Sequence, residues 1–447
     1  MHGTDIQTRS LNRFRWLSLD RLIVFLLPFM FYTSATGELH LAVTDLVFPL
    51  LAALALLNPP TERQTRAVRP LCLFALITLI VVVNSALTAS LFDPEFNEAL
   101  AVKNILKLVV VFSYAVVFAM HASELDHDGL YNLLRAWTWA ATIVSLCTIA
   151  TAVGIARIAP LDRWSMRSLG FFQDANLYGG YLVLSLAVVA AAGVMKRSKW
   201  TIVHLLIIIT AILLTASRGA LVSLALISLM ALVLISRWKV RLIVAGVGVV
   251  TGSLIVFFGP RRLAWLGRAG DRLVTSAQQV GDDSRLKLWA HAISLWKEHP
   301  LFGVGIGQFG RFSLDVLGYG DDDVGQIAHN TFFSFLAETG IFGILLCVAG
   351  LAFLAFRVYR DQRLDINVRH AFGLGVLAIC TEMLTLNLHN VRFVWVFVGL
   401  IWGFTRWKEQ PGRSADGRSP PREPSDSSAE IYPPGGLSAG DDGAARR

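Results

Sequence analysis

The chain has 447 residues, 54% of them hydrophobic and 16% charged, with a mean hydropathy of +0.56. Soluble domains carry about 25% charged residues, so an ordinary soluble enzyme is excluded. The formal net charge of +8 comes from basic residues scattered among inter-helix segments, not gathered into one stripe, which argues against a nucleic-acid partner.

In chain order, apolar runs long enough to cross a bilayer predict about twelve spans. They fall at 21–35, 41–58, 70–90, 104–121, 135–155, 176–195, 200–216, 219–236, 240–258, 330–356, 370–388 and 391–406. The expected fold is all-α, a polytopic transmembrane helical bundle. The first run lacks a small-residue cleavage site and reads as an uncleaved anchor. Cys72, Cys147, Cys347 and Cys380 all lie inside apolar runs, where they pack as small side chains and suggest neither metal nor disulfide chemistry.

Basic clusters set the orientation. Arg9/Arg13/Arg15, Arg63/Arg66/Arg69, Lys196/Arg197/Lys199, Arg237/Lys239/Arg241, Arg357/Arg360/Arg363/Arg369 and Arg406/Lys408 share one side of the twelve-span layout, and that side is the expected cytoplasm. The other side receives the segments 92–104 and 157–176 and one loop of about 70 residues, far longer than an ordinary connection. The expected organisation is spans one to nine over 1–258, a long periplasmic loop over 259–329 and spans ten to twelve over 330–407. A Pro-, Gly- and Ser-rich cytoplasmic tail follows at 408–447, too poor in apolar residues to fold. Both termini are then cytoplasmic.

Arg218, in Leu213-Leu-Thr-Ala-Ser-Arg-Gly-Ala220, sits between two apolar runs at the outer boundary. There it either snorkels to the interface or offers two parallel N–H donors to a phosphate. In the long loop, Leu286, Trp289, Ile293 and Trp296 recur at near-helical spacing behind Ser284, a plausible N-cap. This predicts an amphipathic helix on the outer leaflet with Arg285 in its first turn. Arg285 either faces an anion together with the helix N-terminus or pairs with Asp282 or Asp283. The alternating glycines Gly303, Gly305 and Gly307 lack the Lys-Ser/Thr of a P-loop and read as allowing close backbone approach.

His329 opens the tenth span, where an imidazole can accept a proton from a hydroxyl; a structural histidine is the plainer reading. Glu338, nine residues further on, is costly in hydrocarbon and reads as structural, paired with an arginine or with backbone. Lys103 and Lys107 stand one helical turn apart at an outer boundary, and Lys107 is a candidate second cation for a diphosphate. Segment 172–179, Glu382 and His389 on one face of span eleven, and Arg392 at the start of span twelve could also line a polar cavity.

Four motifs in combination resemble the O-antigen ligase and polymerase superfamily: Ser-Arg-Gly at 217–219, Ser-Arg-x-x-x-Trp at 284–289, Glu-His-Pro-Leu-Phe-Gly-Val-Gly-Ile-Gly-Gln-Phe at 298–309, and His-Asn followed by Ala-Glu-x-Gly within 329–340. The resemblance covers roughly residues 165–400 and implies a metal-independent, cofactor-free, inverting glycosyltransferase of the bacterial inner membrane. It implies an undecaprenyl-diphosphate-linked glycan as donor, with Arg218 and Arg285 on the diphosphate and His329 activating or orienting the acceptor hydroxyl. Asn330, in the same motif as His329, is a further substrate-binding candidate. Lipid A core as acceptor marks the ligase branch; a second lipid-linked unit marks the polymerase branch. Polymerases of this group often carry an Arg followed by ten residues and a Gly in two outside loops. Neither outside loop here has that spacing, which favours the ligase. The rival class is a lipid-linked sugar transporter or flippase, which would place its polar sites at the bilayer midplane and open to both faces. A non-catalytic scaffold would leave His329 replaceable.

Overall fold

A computed structural model describes residues 19–30, 42–159, 167–234, 284–317 and 327–405. The expected ninth span, most of the long loop, Asp282, Asp283 and the tail at 408–447 lie outside these residues. The described residues belong to one unit, Met1–Trp407, and are helical and free of strands. After a helical stretch over 19–26, the helices are α1 Val43–Leu57, α2 Glu62–Phe92, α3 Glu98–Glu124, α4 His127–Ala152, α5 Ala175–Lys196, α6 Thr201–Thr215, α7 Arg218–Leu234, α8 Ser284–Glu298, α9 Phe309–Leu317, α10 Thr331–Arg360, α11 Ile366–Met383 and α12 Arg392–Phe404.

Five of these, α2, α3, α4, α5 and α10, are long and apolar enough to cross a membrane; α1, α6, α7 and α12 are shorter apolar helices. α5 is the hub, with 78% of its apolar window buried against 28% for α2 and 22% for α10. The outer helices leave leucines such as Leu76, Leu87 and Leu345 exposed, as a lipid-facing surface requires. α3 and α12 pack parallel at close range. Gly399 and Gly403, one turn apart, lie against the backbone of Ala115 and Ala119, where a Cβ would collide with the carbonyl oxygens.

Hydrogen bonds sort the connections into two ends. At one, Lys196 pairs with Asp128 at 2.6 Å, Thr61 with Glu124 at 2.7 Å, and the Trp402 indole donates to the Ala67 carbonyl at 3.0 Å. The clusters Arg63/Arg66, Lys196/Arg197/Lys199 and Arg357/Arg360/Arg363 belong to connections of this end. At the other, Ser168 N–H bonds the Leu214 carbonyl (3.2 Å), Asn97 N–H bonds the Gln308 side chain (3.1 Å), and Asn330 N–H bonds the Asn387 side chain (3.0 Å). Every candidate residue of the sequence motifs belongs to this second end.

One feature organises that end. α10 is broken at Gly340, whose φ of 65° and ψ of −157° are non-helical, and the turn over residues 300–308 docks into the break. Val304 N–H bonds the Ala337 carbonyl (2.9 Å), Gly305 N–H the Glu338 carbonyl (3.0 Å), and Ile341 N–H the Pro300 carbonyl (2.9 Å). The Glu338 carboxylate accepts from Phe309 N–H at 3.2 Å and also bonds the Gly307 N–H. Unpaired backbone polar groups would be costly here, and the two broken segments satisfy one another. Gly303 and Gly340 hold positive φ with backbone where a Cβ would stand, so both strain and collision forbid a side chain. Gly340→Ala should therefore destabilise the bundle by about 1–3 kcal/mol. A thermal unfolding midpoint unchanged from wild type in the purified variant would show that the docked turn is not under this constraint.

Candidate functional site

Arg218 owes its position to a two-residue helix hairpin. α6 ends as Ala216 enters the left-handed region at φ 47°, its N–H bonding the Leu213 carbonyl at 3.1 Å. Ser217 is buried, and its Oγ accepts from Ala220 N–H at 3.4 Å. α7 begins at once, so Arg218 is its first residue. Gly179 packs against Ala220 and Gly219 against Thr385, clamping this N-terminus between α5 and α11.

The segment before α5 closes over the same hairpin. Arg167 donates from Nε to the Thr215 carbonyl at 2.8 Å and from its guanidinium to the Asn176 side chain at 2.7 Å. Asp174 caps α5 by accepting from Asn176 and Leu177 N–H, at 2.7 and 2.9 Å. Sequence reading did not single out Arg167; as one basic residue in a loop it carried no periodic or motif signal.

His329 and Asn330 stand at the start of α10. Asn330 is the N-cap: its Oδ1 accepts from Phe332 and Phe333 N–H at 3.0 and 3.1 Å, and its Nδ2 donates to the Leu384 carbonyl at 2.9 Å. These bonds fix the Asn330 side chain as the cap of α10. His329 precedes it with a φ of 48°, unusual for a non-glycine residue.

α8 meets this start directly. Trp289 Nε1 donates to the Ala328 carbonyl at 3.0 Å and its ring lies 5.5 Å from that of Phe333. The buried face of α8 is Leu288, Ala292 and Leu295, packed with Val304, Phe309, Ala328 and Ala337. Of the expected stripe of Leu286, Trp289, Ile293 and Trp296, Leu286 is 44% exposed and the other three are partly buried, beside the face packed on protein. The helix also begins at Ser284, so its N-cap position falls on residue 283, outside the described residues.

The docking brings Arg285 within electrostatic reach of His329. Burial first, and then the Arg285 charge, pull the His329 pKa below the usual imidazole value, while Asp174 acts in the opposite direction. The imidazole is therefore neutral near pH 7 and able to accept a proton. Arg218 and Arg167 flank the α6–α7 hairpin, Arg285 and Asp174 face His329, and Asn176 joins the two groups through its bond to Arg167.

Lys107 belongs to a second cluster at the same end. It faces the charges of Lys103 and Arg392, and His389 faces Lys107 in turn. Arg392 holds Asp45 through both of its prongs, Nε to Oδ1 at 2.7 Å and the second pair at 2.5 Å, and Tyr114 donates to the same carboxylate at 3.1 Å. His389 does not share a helix face with Glu382: α11 stops at Met383, and His389 lies in the connection to α12. The connection between α11 and α12 touches the start of α10, with Asn387 bonding Asn330 and the His389 ring 5.4 Å from that of Phe335. Among the described residues no group of three or more His, Cys, Asp or Glu side chains is arranged to hold a metal ion.

Residues 203–348, about a third of the chain, match the model of a protein family described as O-antigen ligase. The match spans α6 to the first half of α10 and contains Arg218, Arg285 and His329. It supports the O-antigen ligase superfamily for this chain. No curated protein gives a significant match.

The electrostatics make a direct prediction. Arg285→Gln should raise the His329 pKa, and Asp174→Asn, which keeps a capping acceptor but loses the charge, should lower it further. The rate of diethyl pyrocarbonate modification of His329 against pH, followed by mass spectrometry, reads the neutral fraction. Identical titrations in the two variants would contradict the arrangement.

Proposed function

We propose that this chain, a multi-pass membrane protein of the O-antigen ligase superfamily, is an inverting glycosyltransferase that moves a glycan from undecaprenyl diphosphate to a lipid A core acceptor. The supporting observation is the convergence of Arg285 and a neutral His329 at the end that also holds Arg218. In the proposed reaction the acceptor hydroxyl oxygen attacks the anomeric carbon while His329 takes its proton. The bond from that carbon to the phosphate oxygen breaks on the opposite face, and undecaprenyl diphosphate departs with the electron pair. Arg218 and Arg285 meet the charge developing on the leaving oxygen, an interaction stronger in the transition state than in the ground state. Lys107 supplies a further cation, and Asn330 fixes the backbone that aims His329.

In this reading the chain has about twelve spans in the bacterial inner membrane, termini in the cytoplasm and the active end in the periplasm, where the finished lipid-linked glycan resides. The polymerase branch, with a second lipid-linked unit as acceptor, uses the same residues. The transporter reading is disfavoured because the candidate residues share one end, whereas alternating access needs a site open to each face in turn.

Replacing Arg218 or Arg285 with Lys keeps charge but loses the two-pronged fit, and should lower turnover by about 100-fold. Turnover close to wild type in both variants, measured with purified lipid-linked donor, would remove the bidentate role. Because His329 acts as the neutral form and its pKa lies below the ordinary imidazole value, the rate should hold through neutral pH and fall only at pH below that range. A rate already falling from pH 8 to 7 would count against His329 as the base. Cysteines placed at positions 285 and 329 should react with a membrane-impermeant thiol reagent in cells with a permeabilised outer barrier, and labelling only after lysis would invert the topology.

A further inference from the structure

The second cluster is built differently from the first. α3 and α12 run parallel with Gly399 beside Ala115 and Gly403 beside Ala119. The same register puts Trp395 edge-on to Phe112, ring centroids 4.7 Å apart, and sets Arg392 level with Leu108, beside Lys107. The N-cap of α12 is Val391, which offers the first-turn N–H groups no side-chain acceptor. Those N–H groups and the positive end of the helix dipole lie at the level of Lys107 in this register.

Among the described residues, charge at this place is not balanced. Asp45 is the carboxylate of the cluster, and Arg392, Tyr114 and the Ala42 N–H, at 2.9 Å, already occupy it. Lys103 and Lys107 form no ion pair among the described residues. His389 Nδ1 is buried with no hydrogen-bond partner, although its backbone carbonyl accepts from Trp395 at 2.8 Å. Like charges crowded at a membrane boundary repel one another, and a buried unpaired ring nitrogen adds its own desolvation cost. One anion placed against the α12 N-terminus would relieve both.

We infer that Lys103, Lys107, His389 and the uncapped first turn of α12 form a second anion subsite, which takes a lipid-borne phosphate alongside the Arg218 and Arg285 site. The inference rests on the proposed transferase reading and extends it. The phosphate is either the second phosphate of the lipid-linked donor or a phosphate on the acceptor glycolipid.

The test uses full-length protein in nanodiscs and equilibrium binding of two probes, undecaprenyl diphosphate and bisphosphorylated lipid A. Lys107→Gln should weaken one of them by about tenfold, while Lys107→Arg keeps most of the affinity. Weakened undecaprenyl diphosphate identifies the donor as source; weakened lipid A identifies the acceptor. Unchanged binding of both probes to Lys107→Gln overturns the subsite, and if Arg218→Gln still loses undecaprenyl diphosphate the transferase reading survives. Equal losses in Lys107→Arg and Lys107→Gln, with both variants folded by size exclusion and thermal unfolding, mean a packing role and also overturn it. Wild type that binds neither probe overturns subsite and transferase reading together.

Discussion

The interaction on which this end of the bundle depends is the docking of the 300–308 turn into the break of α10. A helix interrupted inside a membrane protein exposes carbonyl and amide groups that lipid cannot satisfy. Here the Ala337 and Glu338 carbonyls accept from Val304 and Gly305, and the Ile341 amide donates to Pro300. Ser85 on α2 donates to the Glu338 carbonyl as well, and the paired bonds between Gln308 and the Asn97 backbone, at 3.0 and 3.1 Å, tie the turn to the start of α3. The turn is therefore a buried joint among α2, α3 and α10, and α8 ends where it begins.

That joint decides where the chemistry can be. With α8 held at its C-terminal end, Leu288, Ala292 and Leu295 pack on the start of α10, and Trp289 reaches the Ala328 carbonyl. Arg285 is then carried to His329 by a rigid element and not by a loose loop, which suits a group meant to meet charge at a fixed place. The α6–α7 hairpin brings Arg218 by an independent route, and Arg167 ties that hairpin to Asn176 and so to the segment that carries Asp174. Three parts of the chain thus bring charged residues to this end, and the proposed reading joins them into one site.

Much of this was legible in the residues. Apolar runs located α2 to α7 and α10 to α12, since a helix in lipid must be apolar along its whole length. Arg218 and His329 stood out at the edges of apolar runs and Arg285 at the first turn of an expected loop helix, and their roles belong to the proposal. Other features were not legible. The pairing of Asn97 with Gln308, 211 residues apart, leaves no local pattern. Arg167 looked like an ordinary loop charge because its importance comes from the hairpin it ties to Asn176. The face of α8 that packs on protein was not legible, because it relies on the small residues Ala292 and Ala337, which stand out less in the sequence than the neighbouring tryptophans. Span eleven was drawn too long: its apolar run continues to Leu388, but the backbone leaves the helix after Met383 to bond Asn330 and Thr331. Twelve spans, the long loop as a periplasmic element and the side of the membrane remain part of the proposal built on these helices.

The central claim is that this end of the protein transfers a glycan, with His329 handling the acceptor proton. The most direct measurement is in vitro transfer by purified wild type and His329→Ala. The donor is an undecaprenyl-diphosphate-linked glycan, offered with either lipid A core or a second lipid-linked unit as acceptor. The account predicts product on lipid A core that disappears in the variant; chain growth on the lipid-linked unit would move the protein to the polymerase branch with the same residues. Transfer by His329→Ala at the wild-type rate, or no transfer by wild type to either acceptor, would contradict it.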